Sequence, residues 1–429
     1  MAWVLSAGDG PALQSEAHSA AESLRSGDSP SSSDVRKMLR TAADASEHRA
    51  VVLGNDVPEL STALAALAQG EKSASAVSGR NLGGAGPVLV FPGQGAQWTG
   101  MAARLMDQAP IFAAALAEIS EALDPFVDWS LTDVVRGGPG TPDPNRVDVV
   151  QPALFAMYVS LAALWRGFGV EPAAVIGHSQ GEVAAACVAG ALSVEDAVKV
   201  VALRSQLLRE VAGAGGMASV VLGATEVEPY LERWAGRLAL AAVNGPTNVV
   251  VSGDADALNE LIVQCFRDDV WARRVQVDYA SHSPQMEETR DRMLDELSGL
   301  RPRASRVPMY SSTTGALIDT RECTGAYWYR NLRQTVLFEE AVSTALRREH
   351  RVFIEVGPHP VLANGMQETI QASGVDAAVL ATLRRDDGGM DRFLDSLAQV
   401  YVLGVPADWR AVAAGARAAD PPVAAPAPR

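Results

Sequence analysis

The residues best suited to chemistry lie in 173–186, AAVIGHSQGEVAAA, where a short apolar run meets a Gly-His-Ser-Gln-Gly turn and then a helix-forming run. Ser179 stands in that turn with Gly177 and Gly181 in G-x-S-x-G spacing, the pattern of a sharp strand-to-helix turn that presents a hydroxyl as a nucleophile. A side chain at either glycine would crowd the backbone and an approaching substrate. Gln180 then opens a helix whose free N–H groups face any negative charge that develops beside Ser179. The same residues also suit a plain turn or N-cap serine, so the rest of the chain must supply a base, an oxyanion donor and a pocket.

Imidazole is the natural base for a serine near neutral pH. Besides His178 in the turn itself, His282 and His359 stand in loops suited to chemistry, the first in DYASHSP between a strand and a helix, the second in GPHP after a strand. Both stay open as the base. No carboxylate is marked out to orient either, and a backbone carbonyl can take that part. Gln94, framed by Gly93 and Gly95 directly after the apolar run 87–91, is a candidate donor, because α/β enzymes place such groups on loops that follow core strands. Arg204 has Val200, Val201, Leu207 and Leu208 three and four residues away, which puts its stem on an apolar helix face. A buried guanidinium needs a partner, either an internal carboxylate or an anionic ligand.

These groups need a scaffold, and 429 residues with 48% hydrophobic composition provide one. The formal charge of −15 speaks against a nucleic-acid partner. Cys187, Cys265 and Cys323 have neither metal-ligand spacing nor disulfide-scaffold density, so no metal is expected and a reducing cytoplasm is the expected home. No leader-like segment and no run of about 18 apolar residues is visible, so neither secretion nor membrane insertion is expected.

Periodicity predicts a first small unit over residues 1–86, with a short apolar run at 3–6, helices at 11–25 and 35–45, a strand at 48–53, a helix at 57–67 and a glycine-rich joint at 79–86. A strand at 87–91, a helix at 101–122, a loop region over 124–146 and a helix at 151–165 come next. In the last of these, Leu154, Tyr158, Leu161 and Trp165 read as core. Ser193 caps a helix that runs to about Glu210. Strands at 217–222, 238–243, 248–252 and 272–277 alternate with helices at 224–234 and 254–267, which predicts a four-stranded sheet of ferredoxin-like type. The larger unit resumes with a helix at 284–298, strands at 308–311, 352–356 and 379–382, and helices at 327–332, 338–350 and 390–403. From Ala411 the chain is Ala, Pro and Gly and reads as a tail. The predicted fold class is α/β: a large α/β-hydrolase-like subdomain with an inserted ferredoxin-like subdomain, preceded by a small α/β unit.

Seven motifs, Phe91-Pro-Gly-Gln-Gly-Ala-Gln97, Gln151-Pro-Ala, Gly177-His-Ser-Gln-Gly181, Ala202-Leu-Arg204, Asn244-Gly-Pro, Tyr279-Ala-Ser-His282 and Glu355-Val-Gly-Pro-His-Pro360, give the chain a resemblance to the malonyl-CoA:acyl-carrier-protein transacylase family. The form it resembles is the acyltransferase domain of modular type I polyketide synthases with its flanking linkers. The resemblance implies a ping-pong transfer with Ser179 as nucleophile, His282 as base, and the backbone N–H groups of Gln94 and Gln180 as oxyanion hole. It implies that Arg204 pairs with the free carboxylate of a malonyl-type acyl group. Gln151, His178, Asn244 and His359 are pocket candidates.

Tyr279, Ser281 and Gln180 are similar to members that take (2S)-methylmalonyl-CoA, whereas malonyl-selective members typically show His-Ala-Phe-His and a branched aliphatic residue at those sites. Cys187, where many relatives have His or Tyr, departs from the pattern and leaves room for a larger branch. The implied partners are an acyl-CoA donor, the phosphopantetheine thiol of an acyl carrier protein as acceptor and an adjacent ketosynthase, with no cofactor bound by this chain. The implied organisation is a ketosynthase-to-acyltransferase linker at 1–86, the large subdomain at 87–214 and 279–383, the insert at 215–278, a following linker at 384–410 and a tail at 411–429. Met1 directly before the linker suggests an excised piece of a larger synthase. Two rivals are a serine hydrolase of α/β-hydrolase type, which needs an acidic triad member and has no use for Arg204, and a docking module with a decayed site.

Overall fold

Three β-sheets carry the chain, and alternation of apolar residues decides what each face covers. The computed structural model describes residues 1–25, 46–213 and 215–413. The predicted helix at 35–45 lies outside them. In the first unit β1 (Ala2–Ala7), β2 (His48–Leu53) and β3 (Ala76–Arg80) pair antiparallel in the order β1-β2-β3. Trp3, Leu5, Ala50 and Val52 join the core of the helices Gly10–Arg25 and Val57–Ala68, while Val4 and Val51 join the main core on the other side, as period-two side chains must. The helix Met390–Val402 covers that second side, where Arg49 donates to the Tyr401 carbonyl at 3.2 Å with its guanidinium over the Tyr401 ring. β3 runs into the stretch that reads from sequence as a glycine-rich joint, 79–86.

The large sheet receives β4 (Val88–Phe91) and β5 (Ala174–Gly177). The chain then leaves it to build β6 (Gly215–Val220), β7 (Leu238–Gly245), β8 (Asn248–Asp254) and β9 (Ala272–Arg274). It returns as β10 (Met309–Ser311) and β11 (Ala316–Leu317), places β12 (Val336–Leu337) on the smaller sheet, and completes the large one with β13 (Val352–Glu355) and β14 (Ala378–Ala381). The large sheet has the order β11-β10-β5-β4-β13-β14 and is parallel except at β11. Every residue of β4, β5, β10 and β13 is buried, the mark of parallel strands covered on both faces.

The smaller sheet has five strands in the order β12-β7-β8-β6-β9, one more than the sequence predicts. The extra strand is two residues long and pairs parallel with β7, too short a segment for any periodicity to reveal. Ala218, Val220, Val249 and Val251 pack under the helices Ala224–Arg233 and Ala255–Arg267, which leaves the alternate residues on the opposite face.

Proline and glycine mark several of the other departures. The single helix predicted over 101–122 is two, Ala103–Gln108 and Pro110–Leu123, because Ala109 is extended (φ −128°, ψ 93°) ahead of Pro110. The loop region over 124–146 contains a helix, Leu131–Arg136, capped by Ser130 and stopped by Gly137 at φ 72°. The helix predicted from 284 begins as a 3-10 turn, Pro284–Thr289, before Arg290–Glu296. Val147–Gly167, longer than its predicted span, is a 21-residue helix with a mean hydropathy of 1.6, enough by length and composition to cross a membrane where the sequence reading finds no such stretch. Its apolar window is 89% buried within the fold, where it serves as the core helix.

Candidate active site

Adjacent parallel strands bring the two glycine-rich turns together. β4 and β5 are in register, Phe91 beside Gly177, so Gln94 and Ser179 leave the same edge of the sheet a few residues later, the usual ligand edge of an α/β sheet. Ser179 has φ 52°, a conformation that a non-glycine residue adopts only where its surroundings hold it. The flanking glycines are a steric necessity: a Cβ on Gly177 would lie 2.2 Å from Glu182 Cα, and one on Gly181 would lie 2.1 Å from the Phe91 carbonyl oxygen. The helix Gly181–Ala189 starts immediately behind.

His282, also at positive φ (61°), reaches Ser179 from the segment after the smaller sheet. Its Nε2 accepts from Ser179 Oγ at 2.8 Å, and its Nδ1 donates to the Gln334 carbonyl at 2.8 Å. The carbonyl cannot donate, so the proton sits on Nδ1 and leaves Nε2 free to accept. Burial, then the charge of Arg204, pushes the imidazole pKa down to about 3, which keeps it neutral. His359, the other histidine left open by the sequence, does not enter the cleft: its Nδ1 accepts from the Arg385 N–H at 3.2 Å. The turn after β13 aims it away, toward the loop around Arg385.

Arg204 is 1% exposed. Its Nη2 donates to Ser179 Oγ at 2.9 Å and its Nη1 to Asn331 Oδ1 at 2.5 Å, while its Nε is buried without a partner. Among the described residues no carboxylate forms an ion pair with it. Glu182 acts on it only through space and is otherwise engaged, accepting from Ser312 Oγ at 2.8 Å, from the Thr313 N–H at 2.9 Å and from the Tyr327 hydroxyl. Burial lowers the pKa of Arg204 to about 10, so it remains a cation at neutral pH.

A cleft of about 660 Å³ opens between the two larger sheets onto Ser179. Gln94, Gln151, His178, Gln180, Asn244, Tyr279 and Ser281 line it. The backbone N–H groups of Gln94 and Gln180 have no acceptor within the described residues, so both are available to a ligand. The Gln180 carboxamide is 3% exposed with neither polar atom partnered. His178 Nε2 bonds Asn244 Oδ1 at 2.8 Å across the two units. Tyr279 donates its hydroxyl to Gln94 Oε1 at 2.5 Å, and Ser281 Oγ turns to the Met217 sulfur at 3.5 Å. Cys187 is not in this cleft. It is half-buried against the main core with its thiol pushed up to about 12 by burial.

Three residues of this arrangement escape sequence reasoning. Asn331 ties Arg204 to the turn by donating Nδ2 to the Ser179 carbonyl at 3.1 Å, Gln334 offers only its backbone to His282, and Glu182 anchors residues 311–313 behind the turn. A carboxylate three residues after the serine, in an otherwise apolar run, was the one available signal. Among the described residues no group of three His, Cys, Asp or Glu side chains could hold a metal ion.

A neutral imidazole on a serine hydroxyl, free N–H groups at two turns and a buried cation with no carboxylate partner among the described residues can together support acyl chemistry. The sequence model for the acyl transferase domain matches residues 88–407, and the chain belongs to that family. It is 50% identical over 428 residues to polyketide synthase GfsB of Streptomyces halstedii, covering 98% of this chain and 8% of that protein. The acyltransferase domain from module 8 of the salinomycin polyketide synthase superposes with a TM-score of 0.92 at 51% identity, covering 96% of this chain and 97% of that one. The acyltransferase domain of SpnD, solved in complex with 2-(pent-4-yn-1-yl)malonyl, superposes with a TM-score of 0.83 at 28% identity, covering 94% and 96%. The chain is thus an acyltransferase domain of the polyketide-synthase kind, and it spans about a tenth of the length of the curated relative cited.

Proposed function

We propose that this domain moves an extender acyl group, preferentially (2S)-methylmalonyl, from coenzyme A to the phosphopantetheine thiol of an acyl carrier protein. The observation that carries this reading is Arg204, a buried cation with no carboxylate partner among the described residues, bonded to the very hydroxyl that would carry the acyl group. A malonyl-type group has a carboxylate to give it, in a charge-assisted, bidentate pairing.

In the proposed mechanism Ser179 Oγ attacks the thioester carbonyl and passes its proton to His282 Nε2. The Gln94 and Gln180 N–H groups stabilise the tetrahedral oxyanion. The C–S bond breaks, and His282 returns the proton to the departing thiolate. The carrier's thiol then repeats the sequence in reverse, attacking the acyl-serine while His282 takes the thiol proton and delivers it to Ser179. The Gln334 carbonyl keeps His282 in the tautomer that both half-reactions use. A triad hydrolase would be expected to set an acid there.

Methylmalonyl preference has its support in Ser281, whose small side chain leaves volume beside the base, and in Tyr279, which closes that volume with an aromatic wall. In the same reading residues 1–86 are the linker that joins this unit to a ketosynthase, and 384–410 are the segment after the acyltransferase that packs back on that linker. Residues 215–278 are a ferredoxin-like insert in a hydrolase-like body, and the parent works in the cytoplasm. Incubation with malonyl-, methylmalonyl-, ethylmalonyl-, acetyl- and propionyl-CoA, with intact mass measurement of the protein afterwards, tests the function directly. A methylmalonyl adduct in clear excess supports it, a malonyl or longer-branched adduct moves the specificity, and no adduct with any thioester ends the reading.

A further inference from the structure

Tyr158 reads from sequence as one more core side chain of the helix Val147–Gly167, and its ring is indeed fully buried, tilted against Phe91. Its hydroxyl nevertheless has a specific partner, the Gly93 carbonyl, to which it donates at 2.7 Å. That carbonyl and the Gln94 N–H belong to the same peptide group. A trans peptide is planar, with its C=O and N–H directed oppositely, so whatever fixes the carbonyl also aims the N–H. The Gln94 N–H has no acceptor within the described residues, and Gln94 lines the cleft. Gly93 and Gly95 frame this peptide, and Gly95 has φ 118°. Nothing intrinsic to a glycine-framed loop holds one orientation, so the restraint has to come from outside it.

The same helix supplies a second restraint. Gln151, about two turns before Tyr158 and hence on the same face, donates Nε2 to Gln94 Oε1 at 3.0 Å, the oxygen that also accepts from Tyr279. Backbone and side chain of Gln94 are therefore both pinned from the helix Val147–Gly167. A phenylalanine would fill the Tyr158 ring site equally well and would leave the peptide free to turn.

We propose that Tyr158 is a positioning residue for acyl transfer, which acts through the Gly93 carbonyl to aim the Gln94 N–H at the oxyanion. The proposal rests on the reading of the Gln94 N–H as an oxyanion donor in the function proposed above. Burial, then the nearby Glu355, pushes the Tyr158 pKa further above its ordinary value, so the phenol stays a donor across the working pH range.

The test compares wild type, Tyr158→Phe and Thr382→Val, using the whole chain and methylmalonyl-CoA. Thr382 Oγ1 accepts from Trp165 Nε1 at 3.0 Å further along the same helix and donates to the Glu355 carbonyl at 2.9 Å, so Thr382→Val removes two buried hydrogen bonds, neither of them to Gly93 or Gln94. Tyr158→Phe is expected to lower the kcat of Ser179 acylation roughly 10- to 100-fold, less than outright loss of a donor, with KM changed less than about twofold. Thr382→Val is expected to lower the thermal midpoint and spare kcat. Incorporation of p-aminophenylalanine at position 158, which restores a donor, is expected to recover most of the rate. It also serves as the decisive comparison if Tyr158→Phe does not fold, since a folded p-aminophenylalanine protein as slow as a p-methylphenylalanine one overturns the proposal. So does a Tyr158→Phe kcat within about twofold of wild type, or equal kcat losses in Tyr158→Phe and Thr382→Val. If wild type forms no acyl adduct at all, the function itself fails, a result distinct from each of these.

Discussion

Arg204 Nη2 donates to Ser179 Oγ at 2.9 Å, so the cation proposed to receive the substrate's carboxylate holds the nucleophile before any substrate arrives. On the proposed function, an incoming carboxylate would compete for that donor and release the hydroxyl to His282 alone. Binding of the correct acyl group and activation of the serine are then one event, and an acyl group without a carboxylate leaves Ser179 partly occupied.

Replacing Arg204 by Ala should therefore abolish methylmalonyl loading while acetyl or propionyl loading is kept or improved. The charge-assisted contact is worth roughly 2 to 5 kcal/mol in a desolvated site. Rates of acyl-enzyme formation for the two kinds of thioester, measured side by side, decide it. Equal losses for both would reassign Arg204 to holding the turn through Asn331.

Ser179→Ala should retain the fold and lose the acyl adduct, and His282→Ala should be severely slowed while His359→Ala stays near wild type. The pH profile adds an independent check. An imidazole works as a base only when neutral, and with its pKa pushed down to about 3 His282 stays neutral far below the usual histidine range. Single-turnover acylation should then be nearly flat from about pH 7 to about pH 5. An acid limb centred near the ordinary histidine value would show that His282 titrates normally, or that another base acts.

Glu355 predicts a pH dependence of stability. It is buried at the end of β13, accepts from the Val361 and Leu362 N–H groups at 2.6 and 3.0 Å, and has its pKa raised by burial from 4.5 to about 7. The folded state thus keeps a proton that the unfolded state gives up, so stability present below about pH 4.5 is lost as pH rises toward and through about 7, by roughly 3 kcal/mol in all. Glu355→Gln retains an acceptor oxygen and removes the titration. Urea unfolding near pH 5 and pH 8 should show wild type losing more stability than the variant, and a constant difference between them would mean that Glu355 does not titrate in that window.

Exchanging Tyr279 for His and Ser281 for Phe should move selectivity from methylmalonyl- toward malonyl-CoA. One methyl is worth roughly 1 to 3 kcal/mol, about 10- to 200-fold, so the shift is partial. Overall rate should fall as well, because Tyr279 also donates to Gln94 Oε1. Competition between the two thioesters, read as kcat/KM, measures it. A wild type that already favours malonyl-CoA would refute the specificity and leave the acyl transfer standing.

The glycine-framed serine turn was legible because its glycines are a steric requirement, and the burial of Arg204 because a guanidinium on an apolar helix face is anomalous by itself. Gln94 was legible from the glycines on both sides. What stayed hidden acts through the backbone or through distance in sequence. Gln334 contributes a carbonyl that every residue possesses, Asn331 sits in an ordinary amphipathic helix, and Tyr158 has the spacing of a core residue and is one, its hydroxyl aside. β12 was invisible because two residues carry no period. His282 and His359 both come after strands, and only the placement of the chain in space separates them.

The pairing of β12 with β7 ties the smaller sheet to the segment that orients His282. Gln334, which holds His282, is succeeded by Thr335, whose Oγ1 donates to the Leu240 carbonyl at 2.7 Å, and then by β12, in register with Ala242 and Val243. The inserted sheet is thus stitched to the large unit at the residue that steadies the imidazole. The carbonyl that orients the imidazole is therefore held two residues from a strand of the smaller sheet, and Ser252 Oγ, from β8 of that sheet, donates to the Ser281 carbonyl at 2.7 Å beside His282, so base and orienting carbonyl are fastened to the same sheet.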